Sequence, residues 1–195
     1  MSRPREFDQT QALEDAMQVF WAKGYDATSL CDLLESMGLS RSSLYEAFGS
    51  KHELFLATID HYNRTVAAKC GPAMIEKAES PKAGIANIFH GVIEALLDPT
   101  GERRGCFIAN CAIEVAPHDP AAAKRVCRGL DHMESTFLRA VEDGQNSGEI
   151  PRTRDARALA RYLTSSLNGL VVTGKANPDR QALSDVVRIA LSALD

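Results

Sequence analysis

The chain has 195 residues, 45% hydrophobic and 25% charged, with a formal net charge of −4 and five cysteines. That length holds one domain or two small ones with a real core. With no apolar run of 18 residues, no membrane-spanning helix is expected, and five cysteines without a CxxC pair or zinc-finger spacing argue against a disulfide scaffold or a structural zinc site.

The first residues, MSRPREFDQTQ, have no apolar stretch of the signal-peptide kind, so the chain is expected in the cytoplasm with its thiols buried as small apolar groups. Strand signals are almost absent and about nine helices are expected. Asp8 with Gln11 fits a capping box, followed by Leu13, Met17, Phe20 and Trp21 on one face and ended by Lys23 and Gly24. Ser29 with Asp32 caps a second helix whose Leu30, Leu33, Leu34 and Met37 point inward; Gly38 stops it. Ser40 caps a third, Arg41 to Phe48, and Ser50 with Glu53 opens a fourth. Later helices begin at Ser80-Pro81, Asp119-Pro120 and Asn177-Pro178, each a cap residue before a proline preset for the first helical position. Gly101 to Gly105 reads as a loop and Cys106 begins an apolar helix ending near Val115. Gln145 to Gly148 with Pro151 breaks the chain, and Thr153 or Asp155 starts the penultimate helix.

Residues 29–48 thus form helix, tight turn and short helix. Leu39 plugs the angle, while Leu44 and Phe48, four apart, face inward. Arg41, Ser42, Ser43 and Tyr45 are left on the outside near the helix start. A plain αα-hairpin has the same turn; a helix-turn-helix uses it to place the N-terminal end of the second helix in the DNA major groove. The charge speaks against a broad basic field. Residues 1–70 carry 7 Lys/Arg against 10 Asp/Glu, a balance of −3, so contact with phosphates falls to a few placed groups.

The stretch F-x-x-K-G-Y-x-x-T-S from Phe20 to Ser29, followed by MGLSRSSLYEAFGSKHELF from Met37 to Phe55, resembles the N-terminal domain of TetR-family transcriptional repressors over about residues 8–60. The resemblance implies an all-α fold with a three-helix DNA-binding domain, residues 1–50, and a helical ligand-binding and dimerisation domain, residues 51–195. It implies a homodimer that binds double-stranded operator DNA and releases it on binding a small-molecule inducer. Carried over by position, Thr28 and Ser29 meet phosphate, and Arg41, Ser42 and Ser43 reach base edges or phosphate. Tyr45 lays its hydroxyl on the backbone, and Lys51 meets a phosphate at the start of the fourth helix. Arg3 and Arg5 form either a minor-groove arm or a solvated tail. Ser42 and Glu46 depart from the residues common in relatives; Glu46 either accepts from a cytosine amino group or faces solvent.

In the second domain, Leu159, Leu163, Leu167 and Leu170, with Ala156 and Ala160, make one apolar face. Leu183, Val186, Val187, Ala190, Leu191 and Leu194 make another. These two helices form either a four-helix dimer interface or intrachain core. Phe89, His90, Ile93, Phe107, Asn110, Cys111, His132, Phe137 and Tyr162 mix apolar and polar character on the central helices, as a ligand pocket requires. Cys106 follows Arg103, Arg104 and Gly105 at a helix start, where cations and the helix dipole favour a thiolate. RGCFIANCAIE resembles a TetR branch in which a Gly-Cys pair opens the sixth helix and some members sense electrophiles or oxidants. Cys106 is thus either a redox sensor or a packed thiol. His118, Cys127, Asp131 and His132 form no familiar metal site, and no cofactor is expected. With no nucleophile elbow, P-loop, GxGxxG or HExxH, a small enzyme or a helical protein–protein adaptor are the competing classes.

Overall fold

A computed structural model describes residues 7–100 and 103–195. Every regular element among them is helical: α1 (Gln9–Lys23), α2 (Leu30–Met37), α3 (Arg41–Phe48), α4 (Lys51–Tyr62), α5 (Ala68–Glu76), α6 (Pro81–Leu97), α7 (Phe107–Glu114), α8 (Pro120–Ser147), α9 (Ala156–Ala176) and α10 (Arg180–Ser192). A π turn over Asn63–Ala67 links α4 to α5 without a break. Residues 51–76 are therefore one rod, and the described chain has nine helical rods. None is long and apolar enough to cross a membrane.

The caps follow from the sequence. Ser29 and Asp32 close a reciprocal box, each side chain receiving the other's backbone N–H. Lys23 and Ser29 together hold the Asp32 carboxyl down to about 2. Ser40 and Ser50 accept from the backbone N–H three residues on, which starts α3 and α4. Two caps differ from expectation. Asp8 caps α1 alone, while Gln11 turns to Asp15. The last helix starts at Asp179, whose carboxylate accepts from Ala182 N–H, rather than at Asn177-Pro178. Of the two starts open for α9, Asp155 is the one that caps it.

Apolar side chains gather in two cores. The first unites α1–α4 with α7 and the beginning of α8, around Met17, Phe20, Leu33, Leu44, Phe55, Ile59 and Phe107. The second unites α6, the later part of α8, α9 and α10, around Ile85, Phe89, Phe137, Leu163 and Val187. α7 thus packs with the N-terminal helices, although nearly sixty residues of chain separate it from α3.

The rod 51–76 runs between the two cores. At its π turn the Asn63 amide donates to the Arg125 carbonyl at 3.0 Å, and Gly129 lies so close that a Cβ there would stand 2.6 Å from Asn63 Oδ1. π turns of this kind recur at functional sites.

Candidate functional site

The N-terminal helices build an exposed polar face. α3 is held from beneath by Leu44, fully buried, with Phe48 half-buried against Phe7. Arg41, Ser42, Tyr45 and Glu46 are exposed, and Ser43 is half-buried. Ser40 Oγ lies 2.9 Å from Ser42 Oγ and 2.8 Å from Ser43 Oγ, so three hydroxyls share hydrogens at the helix start. The Arg41 guanidinium stands 5.8 Å from the centroid of the Tyr45 ring, a cation–π distance that orients both side chains outward. Free backbone N–H groups and hydroxyls at a helix N-terminus are suited to phosphate oxygens and base edges.

Lys51 belongs to the same face but is held. Its Nζ donates to the Tyr25 carbonyl at 2.7 Å and sits 4.4 Å from the centre of the Tyr25 ring. Thr28 is placed differently from expectation. It is 1% exposed, and its Oγ1 donates to the Gly24 carbonyl at 2.5 Å. Its side chain locks the turn between α1 and α2 and is not part of the exposed face; Ser29 is. Arg3 and Arg5 lie outside the described residues.

Between the two cores is a cavity of about 520 Å³. Its walls come from α1 (Gln18, Trp21), the central rod (Tyr62, Val66, Met74), α6 (Ile88, Val92, Leu96), the 103–106 segment, Ile108, α8 (Leu130, Met133) and α9 (Leu167, Asn168, Val171). The lining is mostly apolar, with Gln18, Arg103, Arg104, Cys106 and Asn168 as polar points. Cys106 is half-buried; its Sγ lies 3.7 Å from Tyr62 Oη. Burial, and then the adjacent Cys106 sulfur, push the Tyr62 hydroxyl well above its ordinary range.

None of the nine residues expected to line a pocket lines this one. Phe89 and Phe137 stack in the second core at 5.9 Å, with Ile93 beside them. Phe107 and Cys111 lie in the first core, where burial raises the Cys111 thiol. Asn110 is tied up by the Arg104 carbonyl and by Lys175, and Tyr162 is exposed on α9. The reason is rotational. One residue along a helix is a turn of about 100°, so Ile88 and Val92 face the cavity while Phe89 and Ile93 face the core. The overlooked signal was glycine inside helices: Gly71, Gly91 and Gly129 all line the cavity, each where another element approaches closely.

Of the two readings open for the leucine faces of the last two helices, their leucines take the intrachain core. Leu159, Leu163, Leu167, Leu170, Leu183 and Leu194 are buried within the chain. The face left open carries Ala158, Tyr162, Ser165, Gly169 and Val172 on α9 and Ala182, Val186 and Ile189 on α10. Ile189 is 55% exposed. Among the described residues no group of three or more His, Cys, Asp or Glu is arranged to hold a metal ion.

A short helix presented on a tight turn, with a buried anchor beneath and a polar N-terminal end above, defines a helix-turn-helix protein of the DNA-binding class. Residues 12–58 match the model of the bacterial regulatory proteins of the tetR family, and residues 82–190 match the tetracyclin repressor-like C-terminal domain. The chain belongs to the TetR family and is a transcriptional regulator, not an enzyme. It is 39% identical over the whole of both chains to the uncharacterized HTH-type transcriptional regulator YezE of Bacillus subtilis (strain 168). It is 29% identical to the transcriptional repressor ComR of Escherichia coli (strain K12), across 97% of this chain and 90% of ComR. Among solved structures, a cysteine-substituted CifR in complex with 26-bp operator DNA superposes with a TM-score of 0.86 at 30% identity, covering both chains fully. The reduced form of E. coli NemR superposes at 0.87 with 15% identity over 96% of this chain and 98% of that one, a likeness of fold.

The buried position of Thr28 has a measurable consequence. Thr28→Val keeps its shape but strands the Gly24 carbonyl, and is expected to lower unfolding free energy by about 1–3 kcal/mol. The salt dependence of DNA binding should stay the same, since no phosphate contact is lost; urea denaturation and a salt titration measure the two.

Proposed function

We propose that the chain acts in the cytoplasm as a homodimeric repressor that reads operator DNA through Ser29, Arg41, Ser42, Ser43, Tyr45 and Lys51. The observation that carries this reading is the exposed N-terminal end of α3 over the buried Leu44. Division of labour falls between residues 1–50, which contact DNA, and 51–195, which bind inducer and dimerise. The first turns of α4 serve both parts. Two subunits would present their α3 helices to successive major grooves, about 34–36 Å apart.

The cavity is the inducer site in this reading. It lies between the two cores and takes Gln18 and Trp21 directly from α1, so an occupant would touch the DNA-reading part. A ligand that favours another spacing of the α3 pair would release DNA, by no more than its differential affinity for the two states. The partner surface is the open face of α9 and α10, where Tyr162, Val172, Val186 and Ile189 stand in water without partners.

Thiol chemistry is a second reading, supported by the position of Cys106 on the cavity wall beside Tyr62. An α,β-unsaturated carbonyl held there would take the sulfur at its β-carbon while the thiol proton passes to its α-carbon, leaving a bulky group in the space between the cores.

Three experiments test these points. In gel shifts with the promoter region beside its own coding sequence, Lys51→Ala should weaken all DNA sequences about equally, while Ser43→Ala should change preference at one base position; intact binding by the lysine variant would remove that contact from the model. Ile189→Lys should convert a dimer into a monomer in sedimentation velocity and lose operator binding with it, because a buried unpaired charge costs several kcal/mol. For the thiol reading, alkylating electrophiles should release DNA from the native chain and fail to do so from Cys106→Ser; release that survives the substitution excludes that cysteine.

A further inference from the structure

α7 reaches the N-terminal helices at both of its ends. At the cavity end, the carbonyl of Gly105 accepts from Trp21 Nε1 at 3.1 Å, and Arg104 donates to Gln18 Oε1 at 2.5 Å. Phe107 then packs against Trp21, Phe55 and Tyr62, with ring centroids 6.2, 6.3 and 5.6 Å away. At the far end, about 12 Å along an eight-residue helix, Glu114 Oε1 accepts the backbone N–H of Asp26 at 3.0 Å. The carboxylate stands over Gly24 so closely that a Cβ there would lie 2.7 Å from its oxygen. Only glycine at position 24, which also sits at φ +82°, admits it.

The turn that Glu114 holds is the one that orients the DNA-reading groups. Tyr25, between Gly24 and Asp26, supplies the carbonyl and the ring that fix Lys51. Gly24 supplies the carbonyl that Thr28 binds just before Ser29 caps α2. We propose that Glu114 is a positioning residue for the DNA-reading face, and that α7 is the strut by which the cavity acts on it. Cys106 and Ile108 stand on the cavity wall at one end of the strut, and the carboxylate clamps residues 24–26 at the other. A displacement of α7 by a cavity occupant withdraws the acceptor from Asp26 N–H and frees the Tyr25–Lys51 pair. This rests on the operator-binding role argued above.

The test compares Glu114→Ala with Glu114→Gln in the full-length protein, by operator gel shift and by hydrogen exchange of the peptide spanning residues 24–28. The alanine variant should bind operator about tenfold more weakly, the scale of one charge-assisted hydrogen bond, and its 24–28 peptide should exchange faster. The glutamine variant keeps an acceptor oxygen but loses the charge, and should fall between alanine and the native chain in both measurements, about threefold weaker in operator binding. The proposal is overturned if alanine leaves binding and exchange unchanged, or if glutamine falls as far as alanine. A native chain that shows no preference for the operator would defeat the DNA-binding reading instead. The exchange comparison would still decide whether Glu114 holds the turn.

Discussion

The packing of Phe107 against Trp21, Phe55 and Tyr62 is the contact on which the rest depends. It draws a helix from the middle of the chain onto α1 and α4, so that the DNA-reading helices share a core with a piece of the ligand-binding part. Phe55 and Tyr62 meet Phe107 edge-on while Trp21 is tilted against it, and aromatic rings at these distances add specific geometry to their area burial. Because α7 is short and packed, a shift at one end is carried to the other; close-packed interiors pass displacement on rather than absorbing it. The cavity would be a passive hollow if α7 were not seated there.

The same arrangement explains how an acidic chain handles a polyanion. Among the described residues no basic field covers α3, and in the proposed reading its contacts with DNA are few and individually placed. Arg41 leans on Tyr45, Lys51 on Tyr25, and three serines share hydrogens at the helix start. Each is oriented before any partner arrives, which lowers the entropy of ordering on binding. A reader built this way depends on the exact posture of its supporting turn, and so is open to control through that turn.

Polar groups join the two parts at several more points. His52 Nε2 meets Asp119 Oδ2 at 2.5 Å, which holds the Asp119 carboxyl below its usual range. Arg125 and Arg128 converge on Asp60 of α4. With the Asn63 bond to the Arg125 carbonyl, these fasten the central rod to α8 on the side opposite α1. The rod is gripped along its length, and its π turn stands where Tyr62 and Val66 meet the cavity.

What the amino-acid order determined alone was local. Serine and aspartate caps, prolines at first helical positions and glycine stops set most helix ends, because each rests on bonds within a few residues. The spacing of Leu44 and Phe48 decided which side of α3 faces out. The tertiary structure decided everything that needed a second element. Thr28 is an ordinary polar residue in sequence and a buried lock in the fold, because Gly24 curls back over it. The leucines of the last two helices satisfy a dimer and a core equally well by periodicity; packing against α6 and α8 made them core and left Tyr162 and Ile189 outside. On α6 and at the start of α7 the pocket fell one residue away from its expected lining for the same reason: a helical pattern marks an apolar face, and only the neighbours determine which part of that face meets a core and which meets a cavity.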